Sequence, residues 1–268
     1  MQDHDNENGF NEEEFDWDSV DEKIEYRSPL LRRALLSIVA LLILVSFIIW
    51  SFPQLGILFS DLSFLAQNKH LQEEEIVQVS KPAIVSIEVK GDKGFAGKKG
   101  TGFNIAPAGV ILTNHHVVQD ASSIKITFSD GRSFYKDHYT QISDADIAVI
   151  QLDEQELPCL QLESHLEASD QTLTIIGDPL GYRQIAVQGS IGGFYKYNDY
   201  TIFEINAPIK KGNSGSPVLN PEGKVLGIIF AHRDLTTDEQ IEYRALAIPL
   251  QQFFAEIAEL LSESQPAP

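Results

Sequence analysis

From Pro82 onward the chain is written in short β-rich runs separated by turn residues, and this spacing restricts the fold more than any other feature. AIVSIEV (83–89), GFNIAPAGVILT (102–113), SIKITF (123–128), IAVIQL (147–152), TLTIIG (172–177), YTIFEI (200–205) and KVLGIIF (224–230) are rich in Val, Ile, Thr and Phe and bounded by Gly, Asp, Asn and Pro. Such side chains fit a half-buried pleated surface, and the bounding residues supply the angles that reverse the chain. Many short strands at close spacing predict an all-β antiparallel sandwich or barrel, not alternating β/α units. Only the end departs. Leu250, Phe253, Phe254, Ile257, Leu260 and Leu261 fall on one side of a helix over 249–261, predicting a terminal helix packed on the sheets. Residues 263–268 read as a loose tail.

Ahead of the β region stands a run of another kind. Residues 34–52, ALLSIVALLILVSFIIWSF, are 19 positions without a charge, about 28 Å as a helix. The run is too long and too apolar for an amphipathic core helix. It starts after thirty residues and ends in Trp50 and Phe52 without a small-residue cleavage site, which favours an uncleaved transmembrane anchor over 30–58 against a signal peptide. Trp50 would sit at the interface, and Arg27, Arg32 and Arg33 precede the span. The positive-inside rule then predicts a single-pass cell-membrane protein with a cytoplasmic N-terminus and everything after about residue 60 outside.

The segment 1–29 is acidic. Its first 26 residues hold eleven Asp and Glu against Lys23, a net −10 of the chain's −19. Such a composition cannot bury enough surface to fold, so a solvated tail is expected. Phe10, Phe15 and Trp17 keep open a basic cytosolic partner. Residues 59–74 read as a connector with helical patches at Leu65 and Leu71, and Ile76 just beyond. The acidic balance argues against nucleic acid as a partner. Cys159 is the only cysteine, so no disulfide framework or Cys-based metal site is open. Its context, Leu157-Pro158-Cys159-Leu160, predicts a buried packing residue.

Three stretches carry chemistry. IKKGNSGSPVLN (209–220) places Ser214 between Gly212 and Gly215, before two strands joined by the turn Asn220-Pro221-Glu222-Gly223. A serine attacks a carbonyl only with a base to take its proton and N–H donors for the oxyanion it creates. Gly212 can adopt angles closed to other residues and turn its N–H inward beside that of Ser214. THHVV-like text follows GVIL: Thr113-Asn114-His115-His116-Val117-Val118 supplies candidate bases. Asp144-Ala145-Asp146-Ile147-Ala148-Val149 supplies candidate orienters. Each stretch alone reads as an ordinary turn or strand end. Together they give base, orienter and nucleophile in the order His, Asp, Ser, the order of the chymotrypsin barrels rather than of subtilisin or the α/β-hydrolases.

GTGFNIAPAGVILTNHHVV, DADIAVIQL, IGDPLGY, GNSGSPVLN and YRALAIPL resemble the successive blocks of the HtrA/Deg family of trypsin-like serine proteases, covering about residues 75–260. The resemblance implies a chymotrypsin/trypsin-like double six-stranded β-barrel, with barrels at about 75–160 and 165–248 inside a protease domain of 75–262, and the site in the cleft between them. It implies His116 as base, because the family's histidine directly precedes the Val-Val pair, Asp146 as orienter and Ser214 as nucleophile. Gly212 and Ser214, with Asn213 beside them, would supply the oxyanion hole. No metal or cofactor is implied. Unfolded or exposed polypeptides are the implied substrates, and a homotrimer assembled before the first barrel is the implied oligomer. The implied task is extracytoplasmic protein quality control in a bacterial cell.

The sequence departs from the family in two places. The usual GNSGG reads GNSGS here, with Ser216 and then Pro217. That string resembles the glutamyl endopeptidases related to staphylococcal protease, but their histidine two residues past Gly227 is Ile229 here. Pro208, Ile209 and Ile229 are therefore expected to line an apolar pocket that accepts small or medium aliphatic residues. The PDZ domain usual after the protease has no room before Pro268. The segment 182–193, with Ser190, Gly192 and Gly193, is expected to be a channel-shaping loop. A different reading stays open: a protease-like barrel without turnover, acting as a sensor or scaffold that holds peptide strands by β-augmentation.

Overall fold

The computed structural model describes residues 29–51, 63–91, 97–166, 171–236 and 241–263. The expectations for the acidic tail, the apolar continuation past Phe52, the interfacial place of Trp50 and the final tail lie outside the described residues. The chain divides into two units, Met1–Ser60 and Asp61–Pro268.

The first unit contributes α1 (Pro29–Ser51), a 23-residue helix. Leu35, Leu36, Leu41, Leu42 and Ile43 are all exposed on it. Among the described residues no helix is long and apolar enough to cross a membrane. The helical backbone runs the full 23 residues, about 34 Å.

The second unit is built from two antiparallel sheets. The first contains β1 (Ile84–Gly91), β2 (Lys98–Asn104), β3 (Val110–Thr113), β4 (Ala121–Thr127), β5 (Ser133–Lys136), β6 (Thr140–Gln141) and β7 (Ala148–Gln151), in the order β5-β4-β1-β2-β3-β7-β6. The two ends of this order are one bent strand. Only residues 137–139 separate β5, which pairs with β4, from β6, which pairs with β7. The bend closes the sheet on itself and removes its free edges.

The second sheet repeats the device. It contains β8 (Leu173–Gly177), β9 (Ile185–Gly189), β10 (Ile191–Tyr197), β11 (Tyr200–Ile205), β12 (Pro217–Leu219), β13 (Val225–Thr236) and β14 (Ile241–Pro249), in the order β10-β11-β14-β13-β12-β8-β9. Ser190 alone separates β9, paired with β8, from β10, paired with β11. A Cβ on Gly189 would lie 2.4 Å from the Asn206 carbonyl oxygen, so only glycine lets the bent strand approach there. With each bent strand counted once, each barrel has the six strands expected.

The apolar text explains where the core sits. Along β3, Val110 and Leu112 join the central cluster while Ile111 joins the interior of the first barrel. Alternate residues of a strand face opposite sides, so a continuous apolar run means burial on both. Phe103, Leu112, Ile176, Ile228 and Ile248 belong to that central cluster, drawn from strands of both barrels. The terminal helix is α5 (Phe254–Glu263), entered through a 3-10 turn over Leu250–Phe253, and Phe253 and Ile257 pack into the same cluster.

Two expectations change. The stretch read as a connector is part of the barrel unit: it forms α2 (Ser63–Leu71) and leads to α3 (Glu75–Ser80). Phe64 is fully buried in the second barrel's core with Leu173 and Phe203. Asn68 Oδ1 accepts from the Ala186 N–H at 2.8 Å and Gln67 Nε2 donates to the Gln188 carbonyl at 3.2 Å, so α2 is fastened along β9. Cys159, expected inside, is exposed. Leu157 and Leu160 take the inward places around it, and the Pro158 carbonyl accepts from Asn104 Nδ2 at 2.8 Å, which turns the intervening thiol out.

If α2 is a structural part of the second barrel, Phe64→Ala lowers unfolding stability by about 3–5 kcal/mol, read as a reduced urea midpoint. A loss below about 1 kcal/mol would mean that α2 is only attached.

Candidate active site

Each chemical residue stands beside a strand end, His116 just after β3, Asp146 just before β7 and Ser214 just before β12. After β3, Asn114 is extended and the chain enters α4 (His115–Val118), a single turn whose Val117 and Val118 are buried. Those two anchors leave His116 facing outward. His115 turns the other way, against the Tyr139 ring at 5.6 Å.

Before β7, the Ile142 N–H donates to the Ile147 carbonyl at 3.0 Å, and Ser143 takes a left-handed φ of 42°. This tight loop leaves Asp144 exposed and carries Asp146 back under α4. Asp146 grips His116 at two points: Oδ1 accepts the His116 backbone N–H at 2.8 Å and Oδ2 lies 2.6 Å from Nδ1. Asn114 Nδ2 donates to the Asp146 carbonyl at 2.8 Å. A carboxylate facing Nδ1 assigns the proton to that nitrogen and leaves Nε2 free to accept another. The His116 side chain is 44 % exposed and that of Asp146 23 %.

Ser214 lies in the loop between β11 and β12, and Thr101 of β2 shapes that loop from the other barrel. The Thr101 N–H donates to the Ser214 carbonyl at 2.8 Å, and its hydroxyl donates to the Gly212 carbonyl at 2.9 Å. The same hydroxyl accepts from the Asp178 N–H at 2.9 Å. Lys211 turns its carbonyl to the Leu180 N–H at 2.8 Å, and Asn213 turns its own to the Ser216 N–H at 2.9 Å. In a trans peptide the N–H points opposite to the C=O, so the N–H groups of Gly212 and Ser214 face away from these partners. Asn213 differs from expectation: its N–H donates to the Lys210 carbonyl at 3.1 Å and belongs to the turn. Gly212 has φ 106°, and a Cβ there would lie 2.3 Å from the Asp178 carbonyl oxygen.

His116, Gly212 and Ser214 line one cleft of about 660 Å³, together with Lys98, Lys99 and Lys211. No hydrogen bond joins His116 to Ser214 among the described residues. Pro208, Ile209 and Ile229 are not among the lining residues. Ile209 and Ile229 are buried in the core of the second barrel, where the Ile229 backbone holds the serine loop through the Gly215 N–H at 2.8 Å and the Ser216 carbonyl at 2.9 Å. The segment 182–193 is mostly strand, β9 and β10, rather than a channel loop. The part that reaches the cleft lies just before it, at Asp178, Leu180 and Gly181.

Thr101 and Asp178 escaped the reading of single residues. Asp178 is almost fully buried. Ser86 Oγ donates to its Oδ2, and the Gln184 N–H donates to Oδ1 at 2.8 Å, closing the turn from which Leu180 holds Lys211. Burial pushes the Asp178 carboxyl above its ordinary range, against the opposing pull of the Ser86 and Gln184 bonds and of Arg183. The Ser216 hydroxyl is fully buried and unpaired. It fills the space a Cβ on Gly177 would need, 2.0 Å away.

Residues 100–228 match the model of the Trypsin-like peptidase domain. The chain is 35 % identical over 137 residues to "Probable periplasmic serine endoprotease DegP-like" of Chlamydia pneumoniae, covering 48 % of this chain and 28 % of that protein. It is 30 % identical over 170 residues to "Serine protease Do-like HtrA" of Bacillus subtilis strain 168, covering 58 % and 37 %. The aligned stretch thus spans well under half the length of these curated relatives. Among solved structures, HtrA-type protease AlgW with tripeptide matches with a TM-score of 0.58 at 22 % identity, over 71 % of this chain and 64 % of that one. The active form of the Rv3671c protease from M. tuberculosis matches with a TM-score of 0.57 at 22 % identity, over 74 % and 88 %. These structural matches establish the double-barrel fold.

The raised Asp178 carboxyl gives a pH signature. Folded Asp178 holds its proton to higher pH than the unfolded residue, whose carboxyl titrates near pH 4. Its contribution to stability is therefore complete below about pH 4 and is lost as pH rises through the folded value. Asp178→Asn keeps an acceptor for Gln184 and cannot ionise. The variant is expected to gain thermal stability relative to the parent as pH rises from 4 to 8. A constant difference in Tm across that range would refute the assignment.

Proposed function

We propose that the chain is an HtrA-type, trypsin-like serine protease that hydrolyses peptide bonds through a His116–Asp146–Ser214 triad. The observation that carries the proposal is the two-point hold of Asp146 on His116, in a cleft that His116 shares with Ser214.

In this reading His116 Nε2 takes the hydroxyl proton of Ser214 as Oγ attacks the substrate carbonyl. Asp146 keeps the other ring nitrogen protonated and stabilises the imidazolium that forms. The N–H groups of Gly212 and Ser214 receive the oxyanion, a role worth roughly 3–4 kcal/mol for one donor in a comparable site. The C–N bond breaks as His116 returns the proton to the departing amine, leaving an acyl-Ser214. His116 then takes a proton from water as it attacks the ester, and returns that proton to Ser214 Oγ as the acyl–oxygen bond breaks and the second product leaves. The missing His116–Ser214 hydrogen bond fits this scheme, because such bonds tighten when substrate arrives. It equally favours a binding protein without turnover, so the test must separate the two.

Cleavage after small or medium aliphatic residues is proposed from the sequence alone, because Ile209 and Ile229 lie in the core of the second barrel and not in the cleft. The charge-free run 34–52 supports a membrane anchor. The similarity to a probable periplasmic serine endoprotease of Chlamydia pneumoniae supports a protease unit outside the cytoplasm, and misfolded or exposed polypeptides are its proposed substrates.

A fluorophosphonate probe is expected to label the full chain and not Ser214→Ala, and unfolded casein to be degraded only by the parent, with cuts mapped after aliphatic residues. Absence of both labelling and degradation in a folded protein would sink the protease reading in favour of binding. Cuts mainly after Glu, Lys or Arg would sink the specificity alone. For the anchor, the full chain is expected to stay with membranes through a carbonate wash at pH 11. Release into the supernatant would rule out a span.

A further inference from the structure

The cleft of this strongly acidic chain is lined with lysine, and we infer that its substrates carry acidic residues just after the cleaved bond. The inference rests on the protease reading and adds the substrate's charge. Lys98, Lys99 and Lys211 line the cleft beside Ser214, where the single acidic lining residue among the described residues is the buried Asp178. A groove of about 260 Å³ continues from Gly97, Lys98 and Lys99 to Lys90, Lys125 and Tyr135. Glu88 is its one carboxylate among the described residues. It lies between lysines in register on both neighbouring strands, opposite Lys99 on β2 and Lys125 on β4, at 3.5 and 3.9 Å. One carboxylate cannot neutralise two ammonium groups, and Lys90, Lys98 and Lys211 add to the excess.

The chain's net charge of −19 does not cancel this field at the cleft. Exposed charges more than about 8–10 Å apart are largely screened at physiological salt, so the residues lining the groove set the local potential.

Direction follows from the chemistry. The histidine hands its proton to the departing amine, so the polypeptide beyond the cleaved bond leaves on the His116 side. Lys98 marks that side: its Nζ donates to the His116 carbonyl at 2.9 Å and to that of Gln119 at 3.4 Å. Lys99 and the groove lie further along. Carboxylates in the first few positions after the cleaved bond would meet Lys98, Lys99 and then Lys125. An aliphatic residue before the bond and acids after it are compatible requirements, because they are read on opposite sides of Ser214.

The test uses the full chain and internally quenched peptides that share one sequence before a casein cleavage site and carry Glu, Gln or Lys in the three positions after it. Exposed lysine–carboxylate pairs are worth roughly 1.5- to 5-fold each. kcat/KM is therefore expected to be about tenfold higher for the Glu peptide than for the Lys peptide at 50 mM salt, with most of the difference lost at 0.5 M. K98E/K99E is expected to reverse that ratio and K98Q/K99Q to flatten it, whereas damage to the fold would lower all three peptides alike. Equal cleavage of the three peptides by the parent, or a ratio unchanged in both variants, overturns the inference and leaves the protease reading standing. No cleavage of any peptide together with no labelling of Ser214 overturns both.

Discussion

Thr101 is the residue on which the geometry of this site turns. It sits in the first barrel, fully buried, and bonds to three backbone groups of the second: the carbonyls of Gly212 and Ser214 and the N–H of Asp178. Its own carbonyl is fixed by the Thr113 hydroxyl at 2.7 Å, one residue before Asn114 and two before α4. A single residue, through its backbone and its hydroxyl together, therefore ties the serine loop, the Asp178 turn and the histidine strand into one frame. The energies divide by role. Four hydrogen bonds at about 1 kcal/mol each are modest, whereas burying Phe103, Leu112, Ile176, Ile228 and Ile248 between the barrels contributes roughly 1.5–3 kcal/mol apiece as an upper estimate. The apolar cluster joins the barrels, and Thr101 sets their relation at the one place where fractions of an ångström decide chemistry.

Much of this was legible in the sequence, for a physical reason. β3, β8 and β12 are buried along their whole length, so their text, VILT, LTIIG and PVL, is dominated by Val, Ile and Leu. β5, β6, β9 and β10 were missed because each is half of a bent strand, and a strand that changes partners midway presents no steady alternation. α2 was read as a connector because its two buried anchors, Phe64 and Leu71, are separated by mostly polar text, too sparse a pattern to reveal a packed helix. Cys159 was misplaced because composition reports a neighbourhood and not a direction. In the site, His116, Asp146 and Ser214 stand at strand ends in a recognisable order. Thr101 and Asp178 could not be read from sequence, because their roles are defined by partners dozens of residues away, and the Asn213 N–H belongs to a local turn that its residue type does not announce.

The two buried carboxylates of the second barrel resolve burial in opposite ways. Glu204 lies against Arg233, which it raises, and 3.4 Å from Arg244 Nε, so its charge is met by fixed opposite charge. Asp178 has only hydroxyl and amide donors beside it and a distant Arg183, and desolvation dominates. Glu204 stands among the strands that close the barrel, where nothing needs to change. Asp178 stands at the turn whose Leu180 N–H aims the Lys211–Gly212 peptide.

That difference bears on how the oxyanion donors are held. An N–H pair left unbonded and aimed into a cleft has no partner of its own to fix it, so its direction must come from the carbonyls at its back. Here the Lys211 carbonyl is held by the Asp178 turn, and the Asn213 carbonyl by the serine loop itself. One donor is therefore secured locally and the other through a turn closed by a carboxyl group that burial makes reluctant to ionise. The Gly212 donor is the more conditional of the two: it depends on the hydrogen bonds that Asp178 makes to Ser86 and Gln184, and through Ser86 on β1 of the opposite barrel.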